Sequence, residues 1–284
     1  MPGAFNALCA RAIERAGFPG VYVSGAGLSN AVYGLPDVGL VTLTEAAEHA
    51  RAICGAVGVP VLADADTGYG EGYNVARAVG LLEQAGLAGI HLEDQVLPKK
   101  CGHLEGKKLI SAETMEEKLR AAQAARRDAS FMIFARTDAR GVEGFDEAVE
   151  RARRYADAGV DGLFPEALAD AGEFERFAAA MRGRGKGSRV GEAPPLLANM
   201  TEFGKSPLLS ADALAQMGYR VVIYPQTALR VAFGAIGRML ADLREAGTQS
   251  GWLDRMQTRQ ELYDLLDYDG LSAIDRAARG PGNS

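Results

Sequence analysis

The sequence predicts an α/β fold, a (β/α)8 TIM-type barrel with an additional C-terminal helical segment. Short apolar runs alternate with longer amphipathic segments along the whole chain. Apolar strands separated by helices predict parallel pairing, with both faces of the sheet covered. A chain of 284 residues with 48% hydrophobic residues can bury such a core as one unit. We therefore expect a single barrel domain over residues 1–284, with 247–284 as a C-terminal helical tail.

Seven strands are predicted from the apolar runs. They are Gly20–Val23, Pro60–Ala63, Gly89–Leu92, Phe131–Phe134, Gly162–Phe164, Leu196–Ala198 and Val221–Tyr224. The stub Met1–Ala4 is the candidate eighth strand, which would close a barrel. Because this stub leaves little room before a first helix near Ala7–Ala16, we expect the natural chain to start upstream of Met1.

Helices are predicted between the strands. Phe145, Val149 and Ala152 recur at helical spacing, which indicates one apolar face of a helix over Phe145–Ala158. Thr42 with Glu45 forms a capping-box pattern, which predicts that a helix begins there.

Two later segments complete the pattern. Arg182–Pro195 is rich in Gly, Pro and basic residues but lacks phosphate-loop spacing, so it predicts a solvated loop away from the active face. Thr258 and Glu261 repeat the capping box within Trp252–Leu266, an apolar helical tail. We expect this tail to pack on a partner subunit or on its own barrel.

Composition excludes several functional classes. The net charge of -6 argues against a surface that follows nucleic-acid phosphates. The sequence contains neither an apolar run long enough to span a membrane nor a secretory signal. Cys9, Cys54 and Cys101 are widely spaced and odd in number, which is typical of a reduced, cytoplasmic protein.

Polar residues follow nearly every predicted strand, where the loops of a barrel converge on its active face. They are Ser24–Gly27, Asp64–Gly70, Glu93–Gln95, Arg136–Asp138, Pro165–Glu166 and Asn199–Thr201, and the last strand is expected to continue to Arg230. This arrangement predicts an active site at that rim.

Acidic residues of the rim predict a metal site. Asp64 and Asp66 are two residues apart, so both side chains would point to one face of an extended strand, with Glu93 nearby. Clustered carboxylates repel one another unless a cation neutralises them, and Mg²⁺ prefers oxygen ligands. We expect Mg²⁺, with Mn²⁺ as the alternative ion. The competing interpretation is that these acids cap the following helices.

The segment Lys99–His103 is the sharpest local signal. Its cysteine, Cys101, lies between two lysines and a histidine, which favours thiolate character. The chain has only three histidines and no second Cys/His pair, which argues against zinc. The alternative is an exposed basic loop that contains a cysteine by chance.

Other rim residues have two interpretations each. Arg136 and Arg230 suit bidentate recognition of a carboxylate, or they form structural ion pairs. Ser24–Gly27 offers backbone N–H groups that could cradle an anionic oxygen in a nest-like turn. His91 lies within an apolar strand, which is typical of a core histidine.

These motifs resemble those of the isocitrate lyase/phosphoenolpyruvate mutase superfamily. The resemblance rests on Lys99–His103, Gly34–Asp37, Asp64–Gly70, Leu92–Gln95 and Ala135–Ala139. The segments Leu197–Gly204, Gly247–Gln249 and Met256–Arg259 are similar to the methylisocitrate lyase branch. The resemblance covers nearly the whole chain, and the cysteine loop and double-aspartate motif are its most specific parts.

The resemblance implies a magnesium-dependent lyase that cleaves 2-methylisocitrate, a tricarboxylate, into pyruvate and succinate in propionate catabolism. It implies Mg²⁺ held by Asp64, and through water by Asp66 and Glu93. Cys101 would protonate the succinate fragment as the general acid, with Tyr22 and Asp37 as candidate bases. His103 and Lys99 complete the implied catalytic group. The implied substrate-binding residues are Ser24, Gly25, Ala26, Gly102, Arg136, Glu166, Asn199, Thr201 and Arg230.

Several alternatives stay open at this point. A related lyase or decarboxylase could act on 2,3-dimethylmalate or oxaloacetate, and a non-catalytic barrel is the alternative of a different class. A phosphonomutase has no need of an acid that protonates carbon, which is the role expected of Cys101. A Schiff-base aldolase would need a lysine at a strand end. We expect an apolar niche for the substrate methyl near Phe164, Pro165 and Ile223. By resemblance, we expect a homo-oligomer, a tetramer.

Overall fold

The chain is described by a computed structural model that covers residues 1–183 and 194–279. Within these residues, seven strands form one parallel sheet in chain order. The strands are β1 (Val21–Val23), β2 (Val61–Asp64), β3 (Gly89–Glu93), β4 (Met132–Thr137), β5 (Gly162–Pro165), β6 (Leu196–Asn199) and β7 (Tyr219–Ile223). All seven predicted strands are confirmed, with small shifts of their bounds.

Helices connect and follow the strands. In the described part of the chain they are α1 (Ala7–Arg15), α2 (Gly25–Tyr33), α3 (Leu43–Cys54), α4 (Gly72–Gln84), α5 (Ala112–Ala125), α6 (Phe145–Asp157), α7 (Ala171–Ala180), α8 (Ala211–Met217), α9 (Thr227–Ala246), α10 (Arg259–Leu265) and α11 (Tyr268–Arg279). Short 3-10 turns span Ala139–Gly141 and Ser250–Arg255. Parallel strands with intervening helices confirm the predicted α/β barrel architecture.

The N-terminal stub closes the barrel. The N–H of Gly3 donates to the Tyr224 carbonyl at 2.9 Å, and the N–H of Ala4 donates to the Tyr22 carbonyl at 2.8 Å. Pro2 and Gly3 form parallel bridges to Tyr224 and Tyr22, respectively. The stub therefore lies between β7 and β1, in the place predicted for the eighth strand.

Large side chains fill the inside of the barrel. One buried cluster draws a single residue from nearly every strand: Tyr22, Leu62, Phe134, Phe164, Leu197 and Ile223. A second and larger cluster joins the sheet to the helices, and it includes Ile90 of β3 and Met115 and Leu119 of α5. Alternate residues of each strand thus face opposite sides, and the strand ends carry the site.

Local signals fixed several helix ends. At the start of α3, the N–H of Thr42 donates to Glu45 Oε2 at 2.7 Å, while the N–H of Glu45 donates to Thr42 Oγ1 at 3.4 Å. Thr258 and Glu261 form the same pair of bonds at the start of α10. Both predicted capping boxes are confirmed.

The chain after β7 differs from the prediction. The last strand ends at Ile223, and Arg230 lies in the first turns of the 20-residue helix α9. Most of the predicted Arg182–Pro195 loop, residues 184–193, lies outside the described residues. Across the helices that are described, none is both long enough and apolar enough to cross a membrane.

Candidate active site

A cavity of about 580 Å³ lies at the carboxyl ends of the strands. Most of the predicted site residues line it: Tyr22, Ser24, Ala26, Asp37, Asp64, Lys99, Cys101, Gly102, His103, Arg136, Glu166, Asn199, Thr201 and Arg230. Gly25, Asp66 and Glu93 are outside this lining but contact it, the first two at Asp64 and Glu93 at Arg136. The structure thus brings together residues from eight separate segments of the chain.

Asp64 and Asp66 meet through a turn and not through strand alternation. Strand β2 ends at Asp64, and Asp66 has a left-handed φ of 46°. The N–H of Asp66 donates to Asp64 Oδ1 at 2.9 Å. Gly68 and Tyr69 are also left-handed, at φ 86° and 61°. The prediction that an extended strand aligns the two acids was wrong, although their proximity is correct.

Lys99 provides the positive charge nearest to these acids. Its Nζ lies 2.7 Å from Asp66 Oδ1 and also forms an ion pair with Asp37 Oδ1. Burial raises the pKa of Asp66 to about 6, with Asp64 and Asp37 adding to the rise and Lys99 opposing it. For Asp64, burial is the largest effect, but His91, Lys99 and Arg136 outweigh it and lower the pKa.

Glu93 is the acid with the fewest partners. It is 1% exposed, and neither of its carboxylate oxygens has a hydrogen-bond partner. Arg136 Nη1 lies 3.3 Å from Oε2, yet burial still raises the pKa of Glu93 well above its ordinary value. A buried carboxylate without a hydrogen bond is unfavourable unless a cation offsets its charge.

These acids fit a divalent cation that is held largely through water. No group of three or more His, Cys, Asp or Glu residues within 1–183 and 194–279 could hold a metal ion directly. Mg²⁺ commonly keeps several waters and takes one or two carboxylates from the protein. Asp64 at the cavity wall, with Asp66 and Glu93 behind it, satisfies that requirement.

The predicted nest at Ser24–Gly27 is the N-terminus of helix α2. Ser24 caps this helix, accepting a hydrogen bond from the N–H of Gly27 at 3.3 Å. Gln226 Nε2 donates to the same Oγ at 3.3 Å. Because both lone pairs of the oxygen are then engaged, the Ser24 hydroxyl proton is free to donate into the cavity.

Gly25 permits the close approach of this helix end to the acids. A Cβ atom at Gly25 would lie 3.0 Å from Asp64 Oδ2 and 3.3 Å from Asp66 Oδ1. The helix N-terminus therefore lies against the acidic group, and its partial positive charge favours anions there.

Arg136 and Glu166 form the polar floor of the cavity. Arg136 Nη2 lies 3.3 Å from Glu166 Oε2, and its Nε donates to Asp138 Oδ2 at 3.0 Å. Asn199 Nδ2 donates to Glu166 Oε2 at 3.1 Å. Although Glu166 is buried, Arg136 and His103 hold its pKa well below the ordinary value. The ion pair predicted as an alternative for Arg136 is present, and the guanidinium also lines the cavity.

The cysteine loop lies over this floor. His103 Nε2 is 3.1 Å from Glu166 Oε1, and His103 Nδ1 accepts a hydrogen bond from the N–H of Lys205 at 2.9 Å. A Cβ atom at Gly102 would lie 2.8 Å from Glu166 Cδ. The loop tip therefore packs tightly against Glu166.

The predicted thiolate field around Cys101 is wrong. Lys99 pairs with Asp37 and Asp66, and Lys100 Nζ donates to the Glu105 carbonyl at 3.3 Å. Burial raises the pKa of Cys101, and the Glu166 carboxylate adds to the rise. Lysines that are adjacent in sequence are thus directed away from the sulfur, which favours the protonated thiol.

Tyr22 and His91 form a neutral pair inside the barrel. The Tyr22 hydroxyl lies 2.8 Å from His91 Nε2, and His91 Nδ1 lies 3.7 Å from Asp64 Oδ1. Burial lowers the pKa of His91 to about 4 and raises that of Tyr22 well above its ordinary value. His91 is a core residue, as expected, but it contacts two residues of the cavity wall.

The remaining predictions have mixed outcomes. Arg230 lines the mouth of the cavity, where its side chain is 41% exposed and pairs with Glu202 at 3.4 Å. Phe164 and Ile223 line the cavity as expected for an apolar niche, whereas Pro165 is absent from that lining.

Sequence reasoning missed Gln226 and Lys107, and it placed Asp138 at the rim without giving it a role. Gln226 is buried and contacts Ser24, while Asp138 holds both Arg136 and Lys107. A glutamine beside the last strand could have been noticed as a rim residue. No sequence signal separates Lys107 from the other lysines of its loop.

A family model described as phosphoenolpyruvate phosphomutase matches residues 1–244 of the chain. The chain belongs to the phosphoenolpyruvate mutase/isocitrate lyase superfamily. This membership confirms the resemblance inferred from the motifs, and it accounts for the barrel.

Relatives within the superfamily match over almost the full chain. The probable 2-methylisocitrate lyase 1 of Corynebacterium glutamicum is 53% identical over 276 residues, which cover 97% of this chain and 87% of the relative. The 2-methylisocitrate lyase of Aeropyrum pernix is 50% identical over 274 residues, covering 96% and 84%.

Solved structures of the superfamily share the fold. A 2,3-dimethylmalate lyase structure matches with a TM-score of 0.89 and 35% identity, over 98% of this chain and 90% of that chain. A phosphonopyruvate hydrolase in complex with oxalate and Mg²⁺ matches with a TM-score of 0.82 and 30% identity, over 97% and 92%. A divalent metal is thus consistent with both the acidic cluster and this superfamily member.

Proposed function

We propose that this chain is a magnesium-dependent carbon–carbon lyase that cleaves 2-methylisocitrate into pyruvate and succinate. The observation that carries the proposal is that Cys101, Asp64 and Arg136 line one cavity. A thiol that can protonate carbon, a metal-binding carboxylate and a carboxylate-binding guanidinium are three of the groups that such a cleavage uses. The names of the relatives from C. glutamicum and A. pernix support the choice of substrate.

The cavity offers donors for the carboxylates of the substrate. The Ser24 hydroxyl and the N-terminus of α2 would hold the carboxylate of the pyruvate half, since both direct N–H or O–H groups toward the cavity. Arg136, Asn199 and Thr201 would hold the carboxylates of the succinate half. Arg230, at the mouth, would attract the anionic substrate.

A bound magnesium ion would supply Lewis-acid stabilisation of the charge on the pyruvate-half oxygens, and Asp64, with Asp66 and Glu93 through water, would hold it.

Bond cleavage requires a proton to leave one fragment and another proton to reach the second. The substrate hydroxyl loses its proton, its oxygen becomes the pyruvate carbonyl, and the carbon–carbon electron pair passes to the succinate carbon. Cys101 then donates its S–H proton to that carbon. The raised pKa of Cys101 suits this role, because the thiol must be protonated before cleavage.

Of the two candidate bases, the geometry favours Asp37. Burial raises the pKa of Tyr22, so its hydroxyl stays protonated and is poorly suited to act as a base. Asp37 lines the cavity and carries a carboxylate paired with Lys99. A carboxylate in that position can accept the proton that the substrate hydroxyl loses.

The deciding experiment is a product assay on purified protein. 2-Methylisocitrate, isocitrate, 2,3-dimethylmalate and oxaloacetate are each supplied with and without Mg²⁺, and pyruvate and succinate are quantified. We expect 2-methylisocitrate to give the highest kcat/KM, and only with Mg²⁺. The kcat/KM for isocitrate should be lower because isocitrate lacks one methyl group, whose contact with the enzyme contributes about 1–3 kcal/mol. In the same assay, Cys101→Ser should turn over more slowly than wild type. Cys9→Ser is its control, because Cys9 does not line the cavity.

A 2,3-dimethylmalate lyase is the second candidate, which the fold match to that enzyme supports. The same panel separates the two functions. A higher kcat/KM on 2,3-dimethylmalate than on 2-methylisocitrate would replace the first proposal with the second.

We further infer a homo-oligomer, in which the C-terminal helices contact a second copy. Large apolar side chains of these helices are exposed, including Val231 at 68%, Leu271 at 63% and Ile274 at 68%. Exposed apolar area of this extent is typical of an interface. We also propose that the oligomer is a tetramer and that the enzyme acts in propionate catabolism. The three free cysteines support a cytoplasmic location. Sedimentation velocity tests the assembly, and a monomer at micromolar concentration would refute it.

A further inference from the structure

The cysteine loop is a hairpin whose base is firmly attached to the barrel. The N–H of Val96 donates to the Lys108 carbonyl at 2.8 Å, and the N–H of Ile110 donates to the Asp94 carbonyl at 2.9 Å. The Gln95 side chain bonds both backbone groups of Lys100, at 2.8 and 2.9 Å. These bonds fix the two limbs but leave the tip, with Cys101 and Gly102, beyond them.

Lys107 makes a further contact with the tip, in addition to the contact of His103 with Glu166. It lies on the returning limb, and its Nζ donates to the Gly102 carbonyl and, at 2.7 Å, to Asp138 Oδ1. Its side chain is 2% exposed, and that of Asp138 is fully buried. A lysine this deeply buried is rare unless it is paired, so both bonds matter to its stability.

Asp138 ties this lysine to the floor of the active site. The Asp138 carboxylate accepts a hydrogen bond from Arg136 Nε at 3.0 Å. The backbone N–H of Asp138 donates to Asp94 Oδ1 at 2.9 Å. Asp138 is therefore held on the barrel side, and Lys107 connects it to the backbone next to Cys101.

Lys107 does not itself line the cavity, although Lys99 and Lys100 of the same loop do. It cannot reach a substrate there, so a direct role in the reaction is not available to it. We propose that Lys107 is a positioning residue, which holds Gly102, and with it the thiol of Cys101, over the active-site floor.

This role for Lys107 rests on the proposed function only in that Cys101 is taken as the acid. The position of the thiol itself can be measured without substrate. The rate of alkylation by iodoacetamide is followed at each cysteine by peptide mass spectrometry in wild type and Lys107→Met. Cys9 and Cys54 report on general unfolding. Lys108→Met is the matched control, since the neighbouring Lys108 is exposed.

We expect iodoacetamide to alkylate Cys101 at least about tenfold faster in Lys107→Met than in wild type. A factor of about ten corresponds to the loss of one charge-assisted hydrogen bond. Cys9 and Cys54 should react as in wild type, and Lys108→Met should leave all three rates unchanged. Where the lyase assay succeeds, kcat should fall in Lys107→Met and not in Lys108→Met.

Asp138→Asn tests the same contact from the barrel side and keeps the side-chain volume if Lys107→Met does not fold. It should also accelerate the reaction at Cys101 selectively. Wild-type alkylation of Cys101 in the folded variants, or equal acceleration at all three cysteines, would overturn the positioning role. Failure of the product assay alone would instead count against the proposed function.

Discussion

Replacing Gly102 by alanine tests whether the cysteine loop must lie against the floor of the site. Gly102 is absent from the residues with positive φ, so alanine fits its backbone conformation. The added Cβ would lie 2.8 Å from Glu166 Cδ, and closer still to Glu166 Cγ and Arg136 Nη2. Glu166 and Arg136 are buried and paired with each other, so the loop, and not the floor, must move.

The size of the movement sets the expected effect. Nonbonded carbon atoms are comfortable at about 3.5 Å or more, so the loop tip must withdraw by close to 1 Å. A misplacement of about 1 Å can cost roughly 10²-fold in rate. We therefore expect kcat/KM of Gly102→Ala to fall by roughly 10²-fold, mainly in kcat, because the proposed acid, Cys101, would be displaced from the carbon that it is to protonate.

The assay measures pyruvate release from 2-methylisocitrate at saturating Mg²⁺. Gly80→Ala is the matched control, because a Cβ atom at Gly80 in α4 meets nothing within 4 Å. This control should retain full activity and lose no stability, since alanine favours a helix interior. Wild-type kcat/KM in Gly102→Ala would refute the idea that the loop acts from the packed position.

Three further outcomes follow from the same geometry. Cys101→Ser should lower kcat by at least about 10²-fold while calorimetry finds binding of pyruvate with Mg²⁺ unchanged, and unaltered turnover would remove the thiol from the acid role. Asp64→Ala should weaken Mg²⁺ and pyruvate binding together in the same titration; loss of one alone would contradict a shared site. Because cleavage needs the protonated thiol, and burial raises the pKa of Cys101, activity should persist at neutral pH and fall only as pH rises above the ordinary cysteine value of about 8.5. If the alkaline loss of kcat/KM begins well below about pH 8.5, or if the residual activity of Cys101→Ser shows the same alkaline loss, that loss belongs to another group.

The parts of the fold that depend on local sequence could be predicted. Strands such as β3 are short apolar runs, and the capping box of Thr42 and Glu45 involves residues three positions apart. The set of rim residues followed from the rule that loops after parallel strands converge. The end of β7 was missed because the apolar residues around Leu229 suit either a strand or a buried helix.

Features that depend on distant partners could not be predicted. Two lysines directly precede Cys101 in sequence, but the side chain of Lys99 pairs with acids that lie more than thirty residues upstream. The contact between Lys107 and Asp138 spans 31 residues and has no motif. Sequence spacing therefore identified which groups are present, and only the fold decides which of them meet.

The left-handed turn at Asp66 and Tyr69 shows that the site is maintained against the stability of the chain. Non-glycine residues in this conformation cost roughly 1–2 kcal/mol each, and Asp66 also buries a carboxyl whose ionisation is disfavoured. Asp66→Gly would relieve both costs while removing a carboxylate that we propose holds the metal through water. A screen for thermostable variants without a turnover assay would therefore select changes in this loop early, and would recover a sturdier barrel with an impaired active site.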